Sequence, residues 1–221
     1  MFKDPLELIY LIVLAVEIGA AVAGGIFFFN KKTNTLPKIV TMAIVSLCMG
    51  RFYALLVYYL MDINLNSFSL GFLGYLGFYL FMVTNYSGIK FMSIDHPSDS
   101  CAKKKKKILP RLLALILPLL LGFMAFIGCV GEGTAKYIIN TVVMTIPAVF
   151  ILYNASLNAI TTKSGWRRTA HISELIIIIL IQIQIQSLEY GDGQIYGSYI
   201  VEAILCWLII ISVRRERKRF E

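Results

Sequence analysis

Cysteine is sparse and scattered in this sequence. Cys48, Cys101, Cys129 and Cys206 stand singly, with no CxxC pair and no Cys/His ligand spacing, so neither a disulfide framework nor a metal site is implied. HExxH, GxSxG and P-loop motifs are missing, as is any pair of aspartates within an apolar run. The common hydrolase and ATPase mechanisms therefore lack their residues, and neither catalytic residues nor a cofactor is expected. Charge is scarce as well: Asp, Glu, Lys and Arg make up 15% of the 221 residues against 58% hydrophobic, a balance that excludes a soluble domain. The net charge of +8 is large, but nearly all the Lys and Arg lies in short segments between apolar runs, where membrane topology puts it. No nucleic-acid partner is expected.

What the sequence does contain is seven apolar segments, each long enough to cross a hydrocarbon core of about 30 Å at about 1.5 Å per residue. They lie near 6–29, 38–61, 68–91, 108–130, 136–159, 172–190 and 194–213, and 214–221 forms a basic tail. The first begins close to the amino terminus and carries an acid in its middle, unlike a cleavable signal peptide. Basic residues alternate between the connecting segments. Lys31, Lys32, Lys38, the lysine run with Arg111, and Lys163, Arg167 and Arg168 share a side with the tail residues Arg214, Arg215, Arg217, Lys218 and Arg219, while the other side holds only Lys3 and Lys136. The expectation is an all-α integral membrane protein of the cell membrane, a multi-pass seven-transmembrane-helix bundle with its N-terminus outside and its C-terminus cytoplasmic.

Within these apolar runs a few residues are out of place. Glu17 and Arg51 lie at nearly the same depth of the first two segments, and Glu202 falls in the outer part of the seventh. An intramembrane charge costs roughly 2.5–3.5 kcal/mol on insertion scales and nearly always faces the bundle interior. If the three share a cavity, one acid pairs with Arg51 and the other is left to protonate or to bind a cationic or hydrogen-bonding ligand. The alternative is an ion pair that only fixes helix packing. The sixth segment alternates Ile with Gln near its end, a strand-like period, yet a lone strand in lipid leaves its backbone unpaired, so a helix is expected. On that helix Gln182, Gln186 and Glu189 share a polar face and Gln184 points away. That face, with Tyr58 two turns from Arg51, is expected to line the same pocket. Gly71, Gly74 and Gly77 at every third position predict close helix approach. Pro118 and Pro147 fall mid-segment, where proline bends a helix, and Asn140, Thr141, Thr145, Asn154 and Asn158 predict a fifth helix partly enclosed by protein.

Outside the spans the candidates are fewer. Lys103, Lys104, Lys105, Lys106 and Lys107 are expected to hold their loop to anionic lipid headgroups on the cytoplasmic side. Asp95, His96, Asp99 and Cys101 just upstream have the residue types of a catalytic or metal site without its spacing. His171 is expected at the headgroup boundary beside Arg167 and Arg168. The seventh segment has no lysine, which argues against a retinal protein with its Schiff base there.

Seven spans, an outside N-terminus, short loops and a basic exit reading Val-Arg-Arg-Glu-Arg-Lys-Arg from Val213 to Arg219 resemble the seven-helix membrane sensor regions of bacterial signalling proteins. Those regions usually precede a kinase, cyclase or DNA-binding output domain, and none is expected within these 221 residues. The resemblance implies a ligand or membrane state sensed in the outer half and passed to the cytoplasmic helix ends. The expected function is a non-enzymatic sensor- or receptor-like module acting on a cytoplasmic signalling partner. A small-solute or proton-coupled transporter and an accessory membrane subunit are the alternatives.

Overall fold

The computed structural model of the protein describes residues 5–29, 35–61, 72–94, 108–132, 135–190 and 196–217. These residues form seven α-helices: α1 (Pro5–Phe28), α2 (Thr35–Met61), α3 (Phe72–Ile94), α4 (Ile108–Glu132), α5 (Ala135–Thr161), α6 (Gly165–Tyr190) and α7 (Tyr196–Arg217). Three of them carry a proline in the first turn, Pro5, Pro37 and Pro110, where its missing N–H has no intrahelical partner to lose. Pro118 and Pro147 lie further in, and α4 and α5 continue through them. The Ile/Gln stretch is helical, as the membrane argument requires, and α6 begins at Gly165 rather than near 172.

The helices pack as a ring in the order α1, α2, α3, α5, α6, α7, with α7 returning to α1 and also reaching α2. Helix α4 stands outside the ring against α5. The ring interior is filled by Ile44, Leu47, Phe78, Met82, Ile151, Leu152, Ile177, Ile178 and Ile181, all fully buried. Outward faces are apolar too. Ile200, Ile204, Leu208 and Ile211 form one exposed stripe on α7, and Leu112, Ile116, Leu119 and Phe123 form another on α4. Apolar surface on this scale suits hydrocarbon as the surrounding solvent. Six of the helices are long and apolar enough to cross a membrane, which makes this a multi-pass membrane protein. The seventh, α3, is of similar length but carries Tyr75, Tyr79, Thr84, Asn85 and Tyr86, which lower its hydropathy and, except for Thr84, are turned into the bundle.

Polar side chains on the lipid-rich helices are spent locally. On α5, Asn154 Nδ2 donates to the Phe150 carbonyl and Asn158 Nδ2 to the Asn154 carbonyl, each at 2.8 Å, while Thr145 is buried. The side chains of Asn140 and Thr141 lie outside the described residues.

The tightest seam joins α2 to α3. A Cβ on Gly74 would lie 2.4 Å from Gly50 Cα and 2.8 Å from the Ser46 carbonyl oxygen, and one on Gly77 would overlap the Ser46 hydroxyl. Ser46 Oγ donates across the seam to the Gly74 carbonyl at 3.1 Å. Gly71 lies outside the described residues. Gly74→Ala therefore forces the two backbones apart, and thermal melting in detergent should show a loss of about 1–3 kcal/mol. Gly25→Ala, where an added Cβ meets nothing within 4 Å, should show none.

Candidate functional site

The three charges singled out by the sequence meet inside the ring. Arg51 donates from Nε to Glu17 Oε1 at 2.9 Å and from Nη2 to Glu202 Oε2 at 2.6 Å. Glu17 and Glu202 are 0% exposed and Arg51 3%, so water does not screen the pairs. A guanidinium keeps its charge under any ordinary condition, and its planar fork suits two carboxylates at once. Helices α1, α2 and α7 each supply one member, which explains why the first and last helices of the chain stand side by side.

Around the triad the bonds continue. Gln184 on α6 donates from Nε2 to Glu202 Oε2 at 2.8 Å and to Ser198 Oγ at 3.1 Å, and its Oε1 accepts from the Tyr75 hydroxyl at 3.0 Å. The Tyr10 and Tyr199 rings, with centroids 4.9 Å apart, close the site toward the N-terminal ends of α1 and α7. Arg51 Cζ lies 4.7 Å from the Tyr199 centroid, within reach of a cation–π contact. Trp207 Nε1 donates to the Val16 carbonyl at 2.9 Å, beside Glu17, and holds α7 to α1. Glu17 Oε2, Glu202 Oε1 and Arg51 Nη1 have no hydrogen-bond partner among the described residues.

A second polar cluster lies toward the other end of α3 and α6. The Tyr86 hydroxyl donates to Glu174 Oε2 and stands 3.0 Å from His171 Nδ1, which is 3.1 Å from the same carboxylate oxygen. With the hydroxyl hydrogen given to Glu174, the contacts of Nδ1 are satisfied when that nitrogen carries hydrogen. His171 Nε2 and, on α5, Ser156 Oγ are buried without a partner among the described residues. Between the two clusters Gln182 Nε2 donates to the Tyr79 hydroxyl at 2.9 Å and contacts the Met144 carbonyl at 3.4 Å. From there toward Tyr86 the buried side chains of α3 and α6 are mainly apolar, Met82, Ile177, Ile178 and Ile181, with Asn85 buried next to Tyr86.

These positions differ from the sequence reading in four ways. Gln184, expected to point away, is the residue that binds Glu202, because α6 has neighbours on both flanks and presents Gln182 to α3 and α5 and Gln184 to α7 and Tyr75. Gln182 is buried but does not bond to the triad. His171, expected at the headgroup boundary, is turned inward onto Tyr86 and Glu174, because α6 starts a turn or more earlier than the hydropathy indicates. Glu174 and Tyr86 were missed altogether; the His-x-x-Glu spacing, which sets both side chains on one helix face, was the available signal. The side chains of Tyr58, Gln186 and Glu189 lie outside the described residues, as do Lys103, Lys104, Lys105, Lys106, Lys107, Asp95, His96, Asp99 and Cys101. Among the described residues no cluster of His, Cys, Asp and Glu is arranged to hold a metal, and Cys48, Cys129 and Cys206 are free thiols.

Fold and site together define a multi-pass, all-helical membrane protein built around a buried Glu–Arg–Glu centre. Compared with protein-family models, curated proteins and solved structures, the chain matches none.

Two substitutions separate the clusters. Arg51→Gln leaves the two buried acids without their cation, and melting in detergent should record a loss of about 3–5 kcal/mol, larger than for either Glu→Gln change. Tyr86→Phe removes one hydroxyl from a buried carboxylate and should cost about 1–3 kcal/mol in the same assay.

Proposed function

We propose that the protein is a sensor- or receptor-like membrane module without catalytic activity, in which the Glu17–Arg51–Glu202 centre receives the signal. In this reading all seven helices span the cell membrane, with the N-terminus outside and the C-terminus cytoplasmic, and a cytoplasmic partner reads the helix ends. The basic residues support the orientation. Arg214 and Arg215 share one end of the bundle with Trp166, Arg167, Arg168 and Lys163, and Lys38 approaches Phe29 at that same end.

The observation that carries the reading is the layout of α7. Near one end it holds Glu202 in the polar centre. At the other end Arg214 Cζ lies 3.7 Å from the Phe27 centroid on α1, Arg215 Cζ lies 4.2 Å from the Trp166 centroid on α6, and the Ser164 hydroxyl donates to Glu216 Oε2. A single helix thus joins the charged centre to three contacts at the basic end, so a change in the pairing of Glu202 acts on those contacts through a stiff rod. Such a device needs ligand binding to have different free energies in its two arrangements. The apolar layer between the two polar clusters favours this reading over a continuous proton or solute path.

The test is a thermal-shift screen of the purified protein against small polar and cationic compounds, read together with Trp166 emission in a Trp207→Phe background. A sensor yields a compound that raises the melting temperature, changes Trp166 emission, and loses both effects in Glu202→Gln. A compound that enters proteoliposomes without changing Trp166 emission identifies a transporter instead.

A further inference from the structure

We infer that the polar centre binds one proton, held on Glu17. The inference uses the site of the reading above, but it stands or falls on the chemistry of the triad alone.

Charge comes first. Two carboxylates face one guanidinium, and none of the three residues is more than 3% exposed. With both acids ionised, the centre carries an uncompensated negative charge in apolar surroundings, a far costlier arrangement than a buried neutral acid. The groups around Glu17 do not remove that charge. Among the described residues it faces Arg51 and Cys48 from α2, Glu202 and Cys206 from α7 and Tyr10 on its own helix, while Tyr199 and Tyr75 face Arg51 and Glu202; Arg51 is the one cation among these groups. A proton is also the cation that needs no room, since the carboxylates and the guanidinium are already in direct contact.

Hydrogen bonding then distinguishes the two acids. Glu202 Oε2 receives two donors, Arg51 Nη2 at 2.6 Å and Gln184 Nε2 at 2.8 Å, the short, multiply donated pattern of an ionised oxygen. Glu17 receives a single donor, Arg51 Nε at 2.9 Å on Oε1, and its Oε2 receives none among the described residues. Glu202 Oε1 is also unpartnered, so the difference rests on the doubly bonded oxygen. As a carboxylate, Glu17 would bury a share of negative charge on an oxygen with no donor. As an acid, the same oxygen is a neutral hydroxyl, and Oε1 still accepts from Arg51. The centre is then a charge-balanced pair, Arg51 with Glu202, and a neutral Glu17 that takes up or releases a proton.

Infrared spectra of the full chain in lipid nanodiscs at neutral pH, recorded in H2O and in D2O, test this. The wild type should show the carbonyl band of a buried protonated carboxylic acid, shifted in D2O. The band should persist in Glu174→Gln and vanish in Glu17→Gln. Because glutamine has the shape and neutrality of a protonated glutamate, Glu17→Gln should melt with the wild type. Glu202→Gln makes Glu17 ionise beside Arg51, so it too should lose the band, and it should melt lower. The double change Glu17→Gln/Glu202→Gln strands Arg51 and should melt lowest. A wild type without the band, a band that survives Glu17→Gln, or a Glu17→Gln protein that melts as low as the double variant overturns the inference. A wild type without the band overturns the inference whether or not a variant folds. A wild type that has the band but answers to no compound in the fluorescence screen counts against the sensor reading and leaves the proton in place.

Discussion

A guanidinium in an apolar interior must be met by carboxylates, and most of this structure can be traced to how Arg51 meets that demand. It cannot shed its charge, and it is only 3% exposed. Its two acids come from α1 and α7, so the ends of the chain are drawn together and the ring closes. Gly50, the residue before Arg51, is where α3 comes closest through Gly74. Gln184 ties α6 to the same centre through Glu202. Of the six ring helices, α5 alone has no hydrogen bond within this group among the described residues, and it enters through Gln182 and the Met144 carbonyl at the next level.

Such a centre matters more for arrangement than for raw stability. Apolar side chains that face lipid gain nothing from burial against each other, so neighbours in a membrane are selected by close packing and by polar contacts. A buried ion pair is often no more stable than well-packed apolar residues of equal size, but breaking it is costly. The polar contacts here are placed to discriminate. The triad specifies α1, α2 and α7, the tyrosines of α3 specify α6 at three levels, and the glycines of α3 specify α2. Helix α4, which lacks comparable residues, is the one left outside the ring. The mainly apolar layer around Met82 and Ile178 separates the two polar groups, and α7 links the charged centre directly to the basic end.

How much of this could be read in advance depended on rarity. Glu17, Arg51 and Glu202 stand out because charge is almost absent from their segments, and the depth argument needs only the length of a helix. The seven helices were legible for the same reason, since hydrocarbon demands long apolar runs. Residues whose role depends on a neighbour were not legible. Gln182 and Gln184 are about 200° apart on a helix, and a projection can favour only one of them unless the helix is known to be flanked on both sides. Tyr75, Tyr79 and Tyr86 pass for apolar filler until their hydroxyls are seen against Gln184, Gln182 and Glu174. Hydropathy begins the sixth span near 172 and so sets His171 at the boundary, whereas the helix itself begins at Gly165.

The most direct test of the central claim is a double-mutant cycle between Arg51 and Glu202, with Arg51→Gln, Glu202→Gln and the double variant compared by reversible unfolding in detergent. If the two residues form one buried charge pair that organises the ring, the cycle should return a coupling of about 1–3 kcal/mol, with the double variant losing less than the sum of the single losses. Simple additivity would contradict the account and leave Arg51 without its role at the centre of the bundle.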